Sequence, residues 1–85
     1  MKHSKSKWRR VKERVYERDN GECIICHDRA TDAHHVIFRS QLGKDDVNNV
    51  VCLCRYHHEM AHGTRAKEMR AYFQAYLQEV KHHGT

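Results

Sequence analysis

The chain has 85 residues, a formal net charge of +5, 39% hydrophobic and 32% charged residues, and no proline. That length sets a ceiling of one domain, whose core is small enough to need help from a metal or disulfides. No apolar run approaches the roughly 20 residues of a spanning helix, and the basic excess favours a polyanion, either nucleic acid or an acidic membrane surface.

Residues 1–7 are basic and polar, with no apolar stretch after them, and read as a solvated, mobile tail rather than a secretory signal. From Trp8 the apolar residues Val11 and Val15 recur at helical spacing, with Tyr16 alongside and Arg9, Arg10, Lys12, Arg14 and Arg18 on the other faces. This predicts an amphipathic helix that ends near Asp19-Asn20-Gly21, where Asn-Gly tolerates positive φ. Its arginines fit a solvated face or phosphate contacts equally well.

Cys23 and Cys26 fall in a tight turn, and residues 32–38 carry the β-branched and aromatic side chains of a strand. A polar loop marked by Gly43 and Asp45-Asp46 follows, then a second strand over residues 50–54 and a helix from Arg55 interrupted near Gly63-Thr64. Ala66, Met69, Phe73, Tyr76, Leu77 and Val80 share one stripe of a last helix over residues 65–82, which reads as core cover.

Four cysteines beside nine histidines, with no secretory signal, point to metal thiolates in a reduced, cytoplasmic compartment. Cys23-x-x-Cys26 has the bite of half a tetrahedral zinc site. Cys54 with His57 repeats that spacing and is the preferred second half; Cys52 with Cys54 is the competing pair. In the preferred arrangement Cys52 is a small buried core thiol.

His58 and His62 are one helical turn apart and share a face, while His57 lies about 100° around the axis. Adjacent histidines can therefore serve different ions. His34 is the natural third ligand for an open, catalytic-type site. His34 and His35 should point to opposite faces of a regular strand, so both reach one site only where the strand ends, distorts or is wrapped at its edge.

In this order and spacing, the chain resembles the HNH endonuclease family and its ββα-metal fold, and is most similar to small zinc-knuckle members such as those of phages. The likeness covers residues 8–63. It rests on Trp8 through Arg18-Asp19-Asn20, Cys23-x-x-Cys26, His34-His35-Val36, Asn49-Val50-Val51-Cys52-Leu53-Cys54 and His58-x-x-x-His62-Gly63. The resemblance implies that His35 is the general base, that His34, His58 and His62 hold a catalytic divalent metal, and that Asn49 holds the loop and the base. Asn48 competes for that last role if the register slips. The chain departs from the usual Cys-x-x-Cys-His second knuckle, because His57 stands where the second cysteine would be.

The expected fold is α+β: a small zinc-stabilised ββα-metal domain with an N-terminal amphipathic helix and a C-terminal packing helix. It occupies residues 1–85 as one domain, with a tail over 1–7, the core over 8–63 and the last helix and tail over 64–85. The implied reaction is hydrolysis of DNA phosphodiesters to 5′-phosphate and 3′-hydroxyl ends. It needs structural Zn²⁺ and a catalytic Zn²⁺, Ni²⁺, Mn²⁺, Co²⁺ or Mg²⁺. Arg9, Arg10, Arg39 and Lys44 are the candidate phosphate contacts, as monomer or homodimer, with a phage packaging machine as one conceivable partner and no membrane. A non-catalytic zinc-knuckle nucleic-acid-binding module and a histidine-rich metal-handling protein are the rival readings.

Overall fold

The computed structural model describes residues 5–83, with side chains as far as residue 81. Residues 1–4 of the expected tail, and 84–85, lie outside the described residues. The elements are α1 (Lys5–Arg18), β1 (Asp32–His35), β2 (Val50–Leu53), α2 (Arg55–Ala61) and α3 (Ala66–His83), with two short 3-10 turns at Arg39–Gln41 and Val47–Asn49. Residues 5–7 therefore form the first turn of α1 instead of a tail.

The Asn-Gly signal closes α1 as expected. Asn20 and Gly21 have φ of 58° and 67°. Gly21 N donates to Tyr16 O at 2.8 Å and Asn20 N to Glu17 O at 3.3 Å, which is the paired hydrogen-bond pattern of a left-handed helix end. The side of α1 carrying Val11 and Val15 is buried.

β1 and β2 pair antiparallel in the register Asp32↔Leu53, Ala33↔Cys52, His34↔Val51 and His35↔Val50. Opposed residues share a face. On one face Val51 and Leu53 meet Val36, Met69, Phe73 and Leu77; on the other, Val50 and Cys52 meet Val11, Val15 and Ala30. All four residues of β2 are buried, because helices cover both faces and β1 covers one edge.

β1 stops at His35, three residues short of the expected strand. Val36 N still reaches Asn49 O at 2.8 Å, but the next rung is supplied by a side chain. Asn49 Oδ1 accepts from Ile37 N at 2.8 Å, and Nδ2 donates to Ile37 O and Lys44 O at 3.0 Å each. One amide thus replaces a ladder and pins both ends of the loop. Gly43 is obligatory there: a Cβ would stand 1.7 Å from Ile37 O.

A buried carboxylate ties the helices to β2. Asp19 accepts from Arg18 Nε and Nη2 at 2.7 and 2.9 Å, from Cys52 N at 3.0 Å, and from the Tyr76 hydroxyl. Arg18 also donates to Val47 O and Val50 O at 2.7 Å each. Arg18 therefore faces inward and leaves the set of solvated helix cations. A helical-wheel reading misses this because the residue sits at the last turn, where the chain bends over β2.

Candidate metal centres

Two ligand clusters form among the described residues: Cys23, Cys26, Cys54 and His57, and His34, His58 and His62, with the ligand atoms of each within 4.8 Å of one another. Both draw on α2, through the adjacent His57 and His58, which face different sides of the helix.

The first is assembled from two turns. His27 at φ 67° folds the chain back, with His27 N on Cys23 O at 2.9 Å and Cys23 N on Asp28 O at 2.7 Å. Cys54 caps α2, its sulfur accepting from His57 N at 3.5 Å. Cys26 Sγ and Cys54 Sγ are 3.8 Å apart; His57 Nδ1 is 3.6 Å from Cys23 Sγ and 3.3 Å from Cys54 Sγ. A tetrahedron with Zn–S near 2.3 Å and Zn–N near 2.0–2.1 Å has edges of about 3.8 Å (S···S) and about 3.6 Å (S···N). These three edges are close to those values, so the four donors could hold a single metal ion such as zinc.

The electrostatics agree. The Asp28 backbone favours a thiolate at Cys26, but the Cys23 and Cys54 sulfurs beside it push its pKa up to about 11. Burial opposes ionisation of Cys23, yet backbone N–H groups of Cys26, Cys54 and Ile25 outweigh it and lower that pKa. One thiolate is favoured and further ones are resisted, a repulsion that a bound dication removes. Cys52 stands outside this group: it is buried, 3.7 Å from Val15 O, and its pKa is pushed up to about 12 by burial and then by Asp19.

The second cluster spans β1 and α2. His34 faces α2 and α3, in ring contact with His58, His62, Phe38 and Phe73 at centroid distances of 5.1, 5.2, 5.8 and 5.5 Å. His58 Nε2 and His62 Nε2 are 3.2 Å apart, close to the roughly 3.3 Å edge expected of two imidazoles on one tetrahedral ion. Burial, followed by the neighbouring imidazoles, lowers the His34 pKa to about 3, so this ring is neutral and ready to ligate near pH 7. Asp32 Oδ2 lies 3.1 Å from His58 Nδ1. An ionised carboxylate only accepts, so in neutral His58 the proton sits on Nδ1 and Nε2 is left for a metal. Asp32 went unread in the sequence; its place two residues before His34, on the same strand face, was the available signal.

His35 faces the other way, as neighbouring strand positions must. Its ring stacks on Trp8 with centroids 4.7 Å apart, and its Nε2 lies 2.7 Å from Asp45 Oδ1. Because β1 ends at this residue, His34 and His35 nonetheless line one open cleft together with Phe38, Arg39, Ser40, His58 and His62. Its volume of about 330 Å³ is at the small end for ligand sites.

The remaining expectations divide. Asn49 holds the loop but has no hydrogen bond to His35; it acts on the chain two residues beyond that ring. Asn48 is exposed, its backbone N on Asp46 Oδ1 at 2.8 Å, and does not take the Asn49 position. Arg9, Arg10 and Lys44 are exposed. Arg39 is exposed too and borders the cleft, while its guanidinium also pairs with the buried Asp45 carboxylate, Nε at 2.9 Å and Nη2 at 3.0 Å. No helix among the described residues is long and apolar enough to cross a membrane. The chain matches no family model and no curated protein.

Proposed function

We propose that this chain is an HNH-type, metal-dependent DNA endonuclease. The observation that carries the reading is the convergence of His34, His58 and His62 in one cleft that also holds a fourth imidazole, His35. A stabilising metal alone needs the closed cysteine-rich cluster; three imidazole nitrogen donors with an open side are the chemistry of a reactive site.

His35 takes a proton from the attacking water, the task for which imidazole is suited near neutral pH. A divalent ion held by His34, His58 and His62 would supply Lewis-acid stabilisation of charge on phosphate oxygens, with Zn²⁺, Ni²⁺, Mn²⁺ and Co²⁺ suiting nitrogen donors better than Mg²⁺. Asn49 keeps the loop bordering the cleft in one conformation. Arg9, Arg10 and Lys44 hold the duplex by its phosphates, which positions DNA without reading its sequence and makes binding salt-dependent. The family likeness implies 5′-phosphate and 3′-hydroxyl products.

Plasmid cleavage by the wild type and by His35→Ala, across Mg²⁺, Mn²⁺, Ni²⁺ and Zn²⁺, tests the reading. The expected result is cleavage by the wild type and a loss of roughly 10²–10⁴-fold in the variant, with DNA binding and zinc retained. A wild type that cuts with none of these ions hands the site to the rival reading, a zinc-knuckle nucleic-acid-binding module.

A further inference from the structure

His35 is held by more than the strand that carries it. Asp45 Oδ1 takes His35 Nε2 at 2.7 Å and Arg39 Nε at 2.9 Å, while Oδ2 takes Arg39 Nη2 at 3.0 Å. The Asp45 side chain is 4% exposed and that of His35 13%. Trp8 stacks on the imidazole at an interplanar angle of 25°, and the Arg39 guanidinium lies 5.0 Å from the Trp8 ring. Edge and face of the imidazole are both clamped. The segment behind Asp45 is fixed in turn, because Asn49 holds Lys44 O and Ile37 O.

We infer that Asp45 is the positioning residue for His35, fixing its ring orientation and tautomer so that Nδ1 is the nitrogen that accepts the proton. The inference rests on the nuclease reading. A carboxylate paired with a guanidinium is ionised and only accepts hydrogen bonds. The neutral imidazole facing it therefore carries its hydrogen on Nε2 and leaves the Nδ1 lone pair bare. In the reaction, Nδ1 takes a proton from water, the water oxygen forms its bond to phosphorus, and the bond from phosphorus to the 3′ oxygen breaks with its electron pair on that oxygen. The imidazolium left behind keeps Nε2–H against Asp45, where the negative charge stabilises it. Arg39, paired through Nε and Nη2, fixes the plane of the carboxylate.

Asp45→Asn keeps the shape but offers an amide that can present its N–H to Nε2 and select the other tautomer, which blocks Nδ1. In a serine protease the equivalent exchange beside the catalytic histidine costs about 10⁴-fold. Here kcat on plasmid DNA should fall by at least about 10²-fold, with KM within about 3-fold and both metals retained. Asp45→Glu keeps an acceptor-only carboxylate and should recover part of the loss. Nitrogen-15 spectra of histidine-labelled wild type should show His35 protonated on Nε2 and bare on Nδ1, with Asp45→Asn shifting the proton toward Nδ1.

A wild-type His35 protonated on Nδ1, or on both nitrogens at the working pH, overturns the inference without any variant having to fold. So does an Asp45→Asn enzyme with undiminished kcat. A wild type that cuts DNA with no ion is a different failure: it removes the nuclease reading and the catalytic part of this inference with it.

Discussion

The two ligand clusters share the seven-residue helix Arg55–Ala61, through the neighbouring His57 and His58 on different faces of it, yet they are built differently. The Cys23, Cys26, Cys54 and His57 cluster gathers four donors close enough to hold one ion. The His34, His58 and His62 cluster has three donors and opens onto a cleft. A closed set leaves a metal nothing to do but hold the chain; an open set leaves room for a substrate oxygen. The difference lies in what supports the ligands: backbone N–H groups aim the sulfurs, whereas the imidazoles are aimed by packed rings and by Asp32.

Breaking the closed cluster should have the largest effect on the fold. Cys26 is exposed, so Cys26→Ser removes a ligand with little loss of core packing. We expect a destabilisation of more than about 4 kcal/mol, the range reserved for lost metals and comparable events. Denaturant unfolding with zinc stoichiometry measures it; a variant that keeps its stability but loses zinc would show that the metal is not structural.

The open cluster should separate activity from stability. His34 is 3% exposed, so His34→Ala leaves a cavity and costs roughly 2 kcal/mol. Exposed His62 should cost less than about 0.5 kcal/mol when replaced by alanine. Both should lose the second metal, and cleavage with it, while keeping structural zinc. Equal stability losses in the pair would contradict the difference in support between the two rings. Between them in size is Tyr76→Phe, which removes one of the donors to Asp19 and should cost about 1 kcal/mol by thermal unfolding, with both metals retained.

A measurement against pH sharpens the comparison from another side. The His34 pKa falls from 6.5 to about 3 on folding, chiefly by burial. Below pH 6.5 the unfolded chain binds a proton that the folded chain refuses, so stability is full above that value and is lost as pH falls toward 3. In metal-free protein, His34→Gln should reduce the slope of stability against pH in that window by about one proton. An unchanged slope would place the titration elsewhere.

The ligand set was legible because its spacing is local. A Cys-x-x-Cys turn, a Cys-x-x-His helix start and a His-x-x-x-His face each fix geometry within one turn of chain. The Asn-Gly end of α1 and the Met69, Phe73, Leu77 stripe of α3 were legible for the same reason. The strand over 32–38 was overextended because β-branched and aromatic residues do not reveal that the Asn49 side chain will take the next rung. The pairing of Arg39 with Asp45 went unread because Asp45 lies six residues away in a loop whose path no periodicity describes.

The sequence alone determined that a small basic chain would carry sulfur and imidazole ligands at metal-binding spacing, since helix and turn geometry are set by nearest neighbours. Only the tertiary structure decided that His34 and His35, pointing apart on one strand, would line one cleft. It also decided that Asp19, Asp32 and Asp45 would each bind a partner from within the fold. A charge's partner is chosen by what packing leaves within hydrogen-bond reach, and that depends on where elements distant in sequence come to rest.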